Sequence, residues 1–241
     1  MFAAALLGVF AGAASWGSDV PPADKLQMAK TQELKGDSAR VRNNNVEAVY
    51  YYRSALHVIG PNSVLLNKLG VAELQTGDRN TARKHLKQAV KLDPRNVPAL
   101  NNLGVLACLD RNYNAAVRYL KSALALQETN ASAHLNMAEA WFGLGEVDRA
   151  MTEYTRALEL DADILSSNPG AVVAHVSTPE QRARVAFTIA KAYAKRGNLE
   201  GALEYLRRAR EANYSDLKNV YTDQTFAALW DDPRLEKIVK R

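Results

Sequence analysis

Residues 63–96 read SVLLNKLGVAELQTGDRNTARKHLKQAVKLDPRN, and the fold follows from this stretch. Leu66, Leu69 and Gly70 come before the pair Gly77-Asp78; Ala82, Leu86 and Ala89 come after it, and Asp93-Pro94 closes the run. Apolar residues three and four apart on both sides of a Gly-Asp break describe two amphipathic helices joined by a tight turn. The order then returns. Ala116, Leu120 and Ala123 lie 34 residues beyond Ala82, Leu86 and Ala89 (116 − 82), and Ala150, Tyr154 and Ala157 lie 34 beyond those (150 − 116). The front half returns as Leu100, Leu103 and Gly104. Two antiparallel helices approach closely only where a side chain is nearly absent, so Gly70, Gly104 and Ala138 are expected to face small residues on the second helix. Neither helix of such a pair buries its apolar stripe alone, so neighbouring pairs must stack into one continuous core.

A period of 34 residues carrying Leu-Gly, then alanine with a large residue four later, resembles the tetratricopeptide repeat (TPR) over roughly residues 22 to 216. The resemblance implies an all-α solenoid of helix-turn-helix units, a right-handed superhelix with a concave groove lined by the first helices, acting as a non-catalytic protein-binding scaffold. The expected units are a divergent first repeat at 22–62, repeats at 63–96, 97–130 and 131–164, an insert at 165–182, a last repeat at 183–216 and C-terminal capping helices at 217–241. Matching Gly36 to Gly77 puts about seven extra residues into the first turn, near Asn43-Asn44-Asn45 (77 − 36 = 41, against 34). Gly77-Asp78, Arg111-Asn112 and Gly145-Glu146 mark the turns within the regular repeats. The triplet Ala202, Leu206, Ala209 arrives 52 after its predecessor (202 − 150), which defines the insert; Thr178-Pro179-Glu180 reads as the cap that opens the last repeat.

The chain has 241 residues, 47% of them hydrophobic, and a formal net charge of +5. Its lysines and arginines stand singly or in pairs among Glu and Asp, the pattern of solvated helix faces, and no nucleic-acid motif accompanies them. Nucleic acid and small-molecule substrates are therefore not expected partners. Cys108 is the single cysteine, set among leucines as a buried small hydrophobe. Met1 to Trp16 carry no charge, and this apolar run is shorter than the roughly 20 residues a membrane span needs. It reads as the apolar part of a secretory signal at 1–13, with Ala11 and Ala13 placing the cut after Ala13 and the protein in a bacterial-type periplasm. The open alternative is a cytoplasmic protein whose apolar N-terminus packs on the first repeat. Membrane association is expected only through partners.

Catalytic signatures are lacking. His57, His85, His134 and His175 are scattered, with no H-E-x-x-H, and there is no G-x-S-x-G, P-loop or G-x-G-x-x-G motif. No metal, cofactor or enzyme activity is expected. Of Tyr50-Tyr51-Tyr52, helical periodicity sends at least one into the core and leaves Tyr50 or Tyr51 outside.

The informative residues lie on the first helices, off the core stripe: Asn67 and Lys68, Asn101 and Asn102, Asn136 and Glu139, then Arg184, Lys191 and Lys195. An asparagine amide offers an acceptor and two donors, so it can bond both the N–H and the C=O of a peptide without reading its side chains. TPR superhelices with similar asparagine rows hold extended peptides by the backbone, which is what the resemblance implies for Asn102 and Asn136, one repeat apart and expected side by side. The plainer alternative is a solvated asparagine. The carboxylate-clamp TPRs place a basic pair where this chain has Ser132 and Asn136, so their chaperone partner is rejected. With Arg184, Lys191 and Lys195 at the far end, the expected ligand is an extended segment, acidic or ending in a carboxylate there. The rival reading is a structural subunit of an envelope or pilus assembly complex that binds through its convex face or C-terminal tail, which an exposed apolar patch near Phe226 and Trp230 would favour.

Overall fold

The computed structural model describes residues 22–161, 163–164 and 178–240; the signal-like segment 1–13 and residues 165–177 of the insert lie outside the described residues. The elements run α1 (Ala23–Val41), α2 (Asn45–Ile59), α3 (Ser63–Gln75), α4 (Arg79–Leu92), α5 (Val97–Leu109), α6 (Tyr113–Leu126), α7 (Ala131–Gly143), α8 (Val147–Leu160), α9 (Pro179–Lys195) and α10 (Leu199–Glu211). Two 3-10 turns, Leu217–Tyr221 and Gln224–Leu229, and a short α11 (Pro233–Ile238) follow. Among the described residues there is no strand. Odd- and even-numbered helices pack as the antiparallel pairs α1/α2 to α9/α10. Consecutive first helices α3, α5 and α7 also touch one another, whereas the second helices between them stand further apart. The stack therefore curves towards its first helices, which form the inner face.

Each turn within a pair is built from a left-handed residue followed by a cap. Asn43, Gly77, Arg111, Gly145 and Gly197 all have positive φ. Asn44, Asp78, Asn112 and Asn198 then accept the backbone N–H three residues on, satisfying a donor that the helix start leaves orphaned. Thr178 opens α9 with a full capping box and Pro179 at the first helical position, as its sequence reads.

The repeated triplets form the core: Ala82, Ala116, Ala150 and Ala202 are fully buried, with Leu86, Leu120 and Leu206 beside them. The glycines behave differently from expectation. A Cβ on Gly70 would stand 2.8 Å from Leu86 Cγ, and one on Gly104 2.5 Å from Leu120 Cγ. The missing side chain makes room for a large residue on the second helix rather than meeting a small one. The same contact corrects the register of the first repeat. A Cβ on Gly36 would lie 2.5 Å from Tyr52 Cε1, so Gly36 corresponds to Gly70 and not to Gly77 (70 − 36 = 34). The ends of α1 and α3 are likewise one period apart (75 − 41 = 34), so the first turn holds no extra residues. The additional length lies at the start of α1, a helix of 19 residues against 13 in α3.

The C-terminal segment covers the last repeat. Phe226, Leu229 and Leu235 are fully buried, Trp230 Nε1 donates to the Val220 carbonyl at 2.9 Å, and Tyr221 donates to the Val239 carbonyl at 2.7 Å. Its apolar side chains are thus used inside, and Phe226 offers no exposed patch.

Candidate functional site

The inner face is crossed by a repeating latch. Lys68 Nζ donates to Glu33 Oε1 at 2.7 Å, Asn102 Nδ2 to Asn67 Oδ1 at 2.8 Å, and Asn136 Nδ2 to Asn101 Oδ1 at 2.9 Å. Each bond joins residues one period plus one apart (68 − 33, 102 − 67, 136 − 101), so one slot on a first helix always meets the next slot on the following first helix. Asn102 and Asn136 are therefore not bonded to each other, as neighbouring places in a ladder would suggest; each reaches back to the preceding repeat. The rotation between stacked repeats sets this offset.

At the first joint the latch is ionic. Lys68 also meets Asp37 at 2.7 Å, and the Tyr52 hydroxyl donates to the same carboxylate at 2.7 Å. Burial alone would raise the Asp37 carboxyl, but the Lys68 and Tyr52 hydrogen bonds hold it below its ordinary range. Glu33 is likewise held low, with bonds from Lys30 and Lys68 outweighing burial. Burial opposes the charge on Lys68, yet Asp37 and Glu33 raise its pKa. Farther along, at the two asparagine joints, each pair uses one donor and one acceptor. The amide N–H groups of Asn67 and the side-chain carbonyl of Asn102 keep no partner among the described residues, and the same holds for Asn101 and Asn136. At the joint to the last repeat the two slots hold Leu135 and Thr188, and the latch ends.

The three cations expected to form a positive end are all committed within the chain. Arg184 pairs with Asp148 at 2.9 Å, Lys195 with Glu159 at 2.9 Å, and Lys191 with Asp223 of the C-terminal segment at 2.6 Å. Asp223, like Asp37, is held low against burial, here by Lys191 and the Thr225 N–H. Glu139 is half-buried and contributes, after burial itself, to pushing the Cys108 thiol up to about 12, which leaves that cysteine inert at neutral pH. Val64 and Leu109 are exposed and Val71 and Val105 half-buried on the inner face beside the asparagines.

Two polar sites escape a linear reading. Glu73, 1% exposed, accepts from Arg53 at 2.8 Å and lies 2.7 Å from His85 Nδ1. His134 is buried, with Nδ1 2.6 Å from Glu153 and Nε2 2.8 Å from the Glu128 carbonyl. Both histidines are packing residues that tie neighbouring helices. Of the tyrosine run, Tyr52 is core and Tyr50 is exposed.

Family profiles described as Tetratricopeptide repeat match residues 107–174, 85–118, and 64–96 together with 183–216. No curated protein matches the chain. Among solved structures, a MamA protein is 24% identical with a TM-score of 0.51, covering 82% of this chain and 96% of its own. A thermophilic TPR protein of Thermus thermophilus is 21% identical with a TM-score of 0.55, over 80% of this chain and 97% of its own. MamA of Desulfovibrio magneticus is 18% identical with a TM-score of 0.54, over 77% and 94%. At these identities the likeness is one of fold. The recurring profiles, the stacked helix pairs and the 34-residue period agree: the chain belongs to the tetratricopeptide-repeat family.

Proposed function

We propose that this scaffold, of a family whose members bind other proteins, holds an extended and largely uncharged stretch of a partner protein along its inner face, without catalysis of its own. The half-used asparagine pairs carry the reading. At two successive joints an amide donor and an amide acceptor remain beside Val71 and Val105, so a peptide backbone can be bonded at repeat spacing while its apolar side chains settle on the valines. Because Arg184, Lys191 and Lys195 are already paired, an acidic ligand gains little from them, and the expectation of an acidic or carboxylate-ended partner gives way to a neutral one. The rigid stack keeps the ordering cost low on the protein's side. The rival reading, a structural subunit of an envelope or pilus assembly complex that binds through its tail, finds its apolar anchor Phe226 already buried. Export with cleavage after Ala13 is part of the proposal, and N-terminal sequencing of protein from its native host tests it: an intact Met1 in a cytoplasmic fraction reverses it.

An immobilised library of random dodecapeptides tests the groove. Enrichment of uncharged sequences is expected, with binding nearly independent of salt and lost on N-methylation of alternate peptide bonds. The Asn102→Ala, Asn136→Ala double variant should bind at least tenfold more weakly while remaining folded. If no peptide is retained, or if retention survives both substitutions, the inner face is not the binding site.

A further inference from the structure

On the outer face, α4 and α6 carry Arg79, Arg83, Lys84, Lys87, Lys91, Arg118 and Lys121 and not one Asp or Glu. Arg79 and Arg83 are taken up by Asp110 in the turn below. The others are exposed and have no carboxylate partner among the described residues; Lys121 alone has another contact, 5.9 Å from the Trp141 ring. Their placement is regular. Lys84, Lys87 and Lys91 follow one another at three- and four-residue steps opposite the buried Ala82, Leu86 and Ala89, and Arg118 and Lys121 occupy the slots of Lys84 and Lys87 one period later (118 − 84, 121 − 87). Elsewhere on this surface the pattern differs. On the second helices α8 and α10 of the last two repeats, Arg149, Arg156, Arg207 and Arg208 have glutamate partners, so the concentration of unpaired positive charge belongs to repeats two and three.

Apolar side chains interrupt this cationic face. Leu92 and Leu126, again one period apart (126 − 92), are 50% and 38% exposed at the ends of α4 and α6, and Tyr50, 65% exposed, fills the Lys84 slot on α2. A nucleic acid or an acidic peptide would use the charges and leave exposed leucines unrewarded. An anionic lipid headgroup layer uses both, since cations sit among the phosphates while leucine and tyrosine enter the interface. No described helix is long and apolar enough to cross a membrane.

We infer that the outer face of α4 and α6 is a docking surface for an anionic lipid bilayer, leaving the inner groove free. This replaces the expectation that membrane association comes only through partners, and it stands independently of the groove reading. The test is flotation with vesicles of phosphatidylcholine alone and of phosphatidylcholine with 30% phosphatidylglycerol. The protein should float with the anionic vesicles at 50 mM KCl and with the neutral ones at least tenfold less. The Lys84→Glu, Lys87→Glu, Arg118→Glu variant should lose this binding at least tenfold, with the glutamine versions intermediate. A control of equal charge change, Lys25→Glu, Lys218→Glu, Lys237→Glu, should keep most of it. Leu92→Ser, Leu126→Ser should remove the part that survives 300 mM KCl. Absence of flotation, equal loss in patch and control variants, or tighter capture of a 30-base-pair duplex or of polyglutamate by the same residues would each overturn the inference.

Discussion

Gly104 stands in the middle of α5, where glycine costs roughly 1 kcal/mol against alanine. Helix propensity alone would make Gly104→Ala stabilising. The space decides otherwise: the new Cβ would meet Leu120 at Cγ, 2.5 Å away, on a fully buried side chain that cannot swing aside. Overpacking of this kind costs about 1–3 kcal/mol, so we expect Gly104→Ala to lower the urea midpoint. The effect should vanish or reverse once Leu120→Ala opens the site, which a double-mutant cycle reads directly. Independence of the two changes would show that the backbones, not this leucine, set the approach. Gly145 makes the contrast, with φ of 78° and nothing near its missing Cβ. There the requirement is conformational, and only glycine or a tolerant residue such as the Arg111 and Asn43 counterparts fills it.

Between elements, the Lys68 latch ties α1 to α3 and is the joint most sensitive to pH. Glu33 and Asp37 are held low in the folded chain, so their contribution is complete above the ordinary carboxylate range and disappears as pH falls through the lowered values. Lys68 is raised, so its contribution is complete below the ordinary lysine range and disappears as pH climbs through the raised value. Once exchange is corrected for its intrinsic dependence on pH, the protection of the α1 amides should be greatest between about pH 5 and 9 and fall below about pH 4. Lys68→Met should remove about 1–2 kcal/mol from the first repeat, part of the value of its charged hydrogen bonds at a half-exposed site, and flatten that acid dependence. An unchanged acid profile in the variant would assign it to other carboxylates. This joint also shows how far a linear reading reaches. The period, the turns and the buried alanines are legible because every repeat solves the same packing problem, so Ala82 announces Ala116 and Ala150. The latch is not, because its offset of one period plus one comes from the rotation between repeats, which leaves no mark in any single helix. Residue type assigns Gly36 to a turn, whereas its packing partner Tyr52 defines its slot. The cations Arg184, Lys191 and Lys195 look available in the linear sequence because Asp148, Glu159 and Asp223 are remote along the chain and reach them only once the stack forms.

Across the whole molecule, the C-terminal segment stands where a further first helix would be. Phe187 occupies an inner-face slot of the last repeat and is covered by Tyr214, with ring centroids 4.7 Å apart, and by Phe226 at 5.5 Å. Lys191, one turn along, is bonded to Asp223 much as Asp37 is bonded to Lys68 at the other end, with the charges exchanged. A stack of this kind is held by nearest-neighbour contacts, so damage at one end should travel only as far as the interfaces it weakens. Phe226→Ala should cost about 3–5 kcal/mol, the range for an aromatic removed from a core. Lys191→Glu, which sets a carboxylate against Asp223, should loosen the same cap by a smaller amount. In hydrogen exchange followed by mass spectrometry, both changes should speed exchange in α9, α10 and the cap while α3 to α6 keep their protection. Equal loss of protection in α3 to α6 would mean that the chain unfolds as one cooperative unit. The same experiment bears on the groove: because Lys191 acts on the cap, its substitution should leave capture of a neutral peptide at the asparagine joints unchanged.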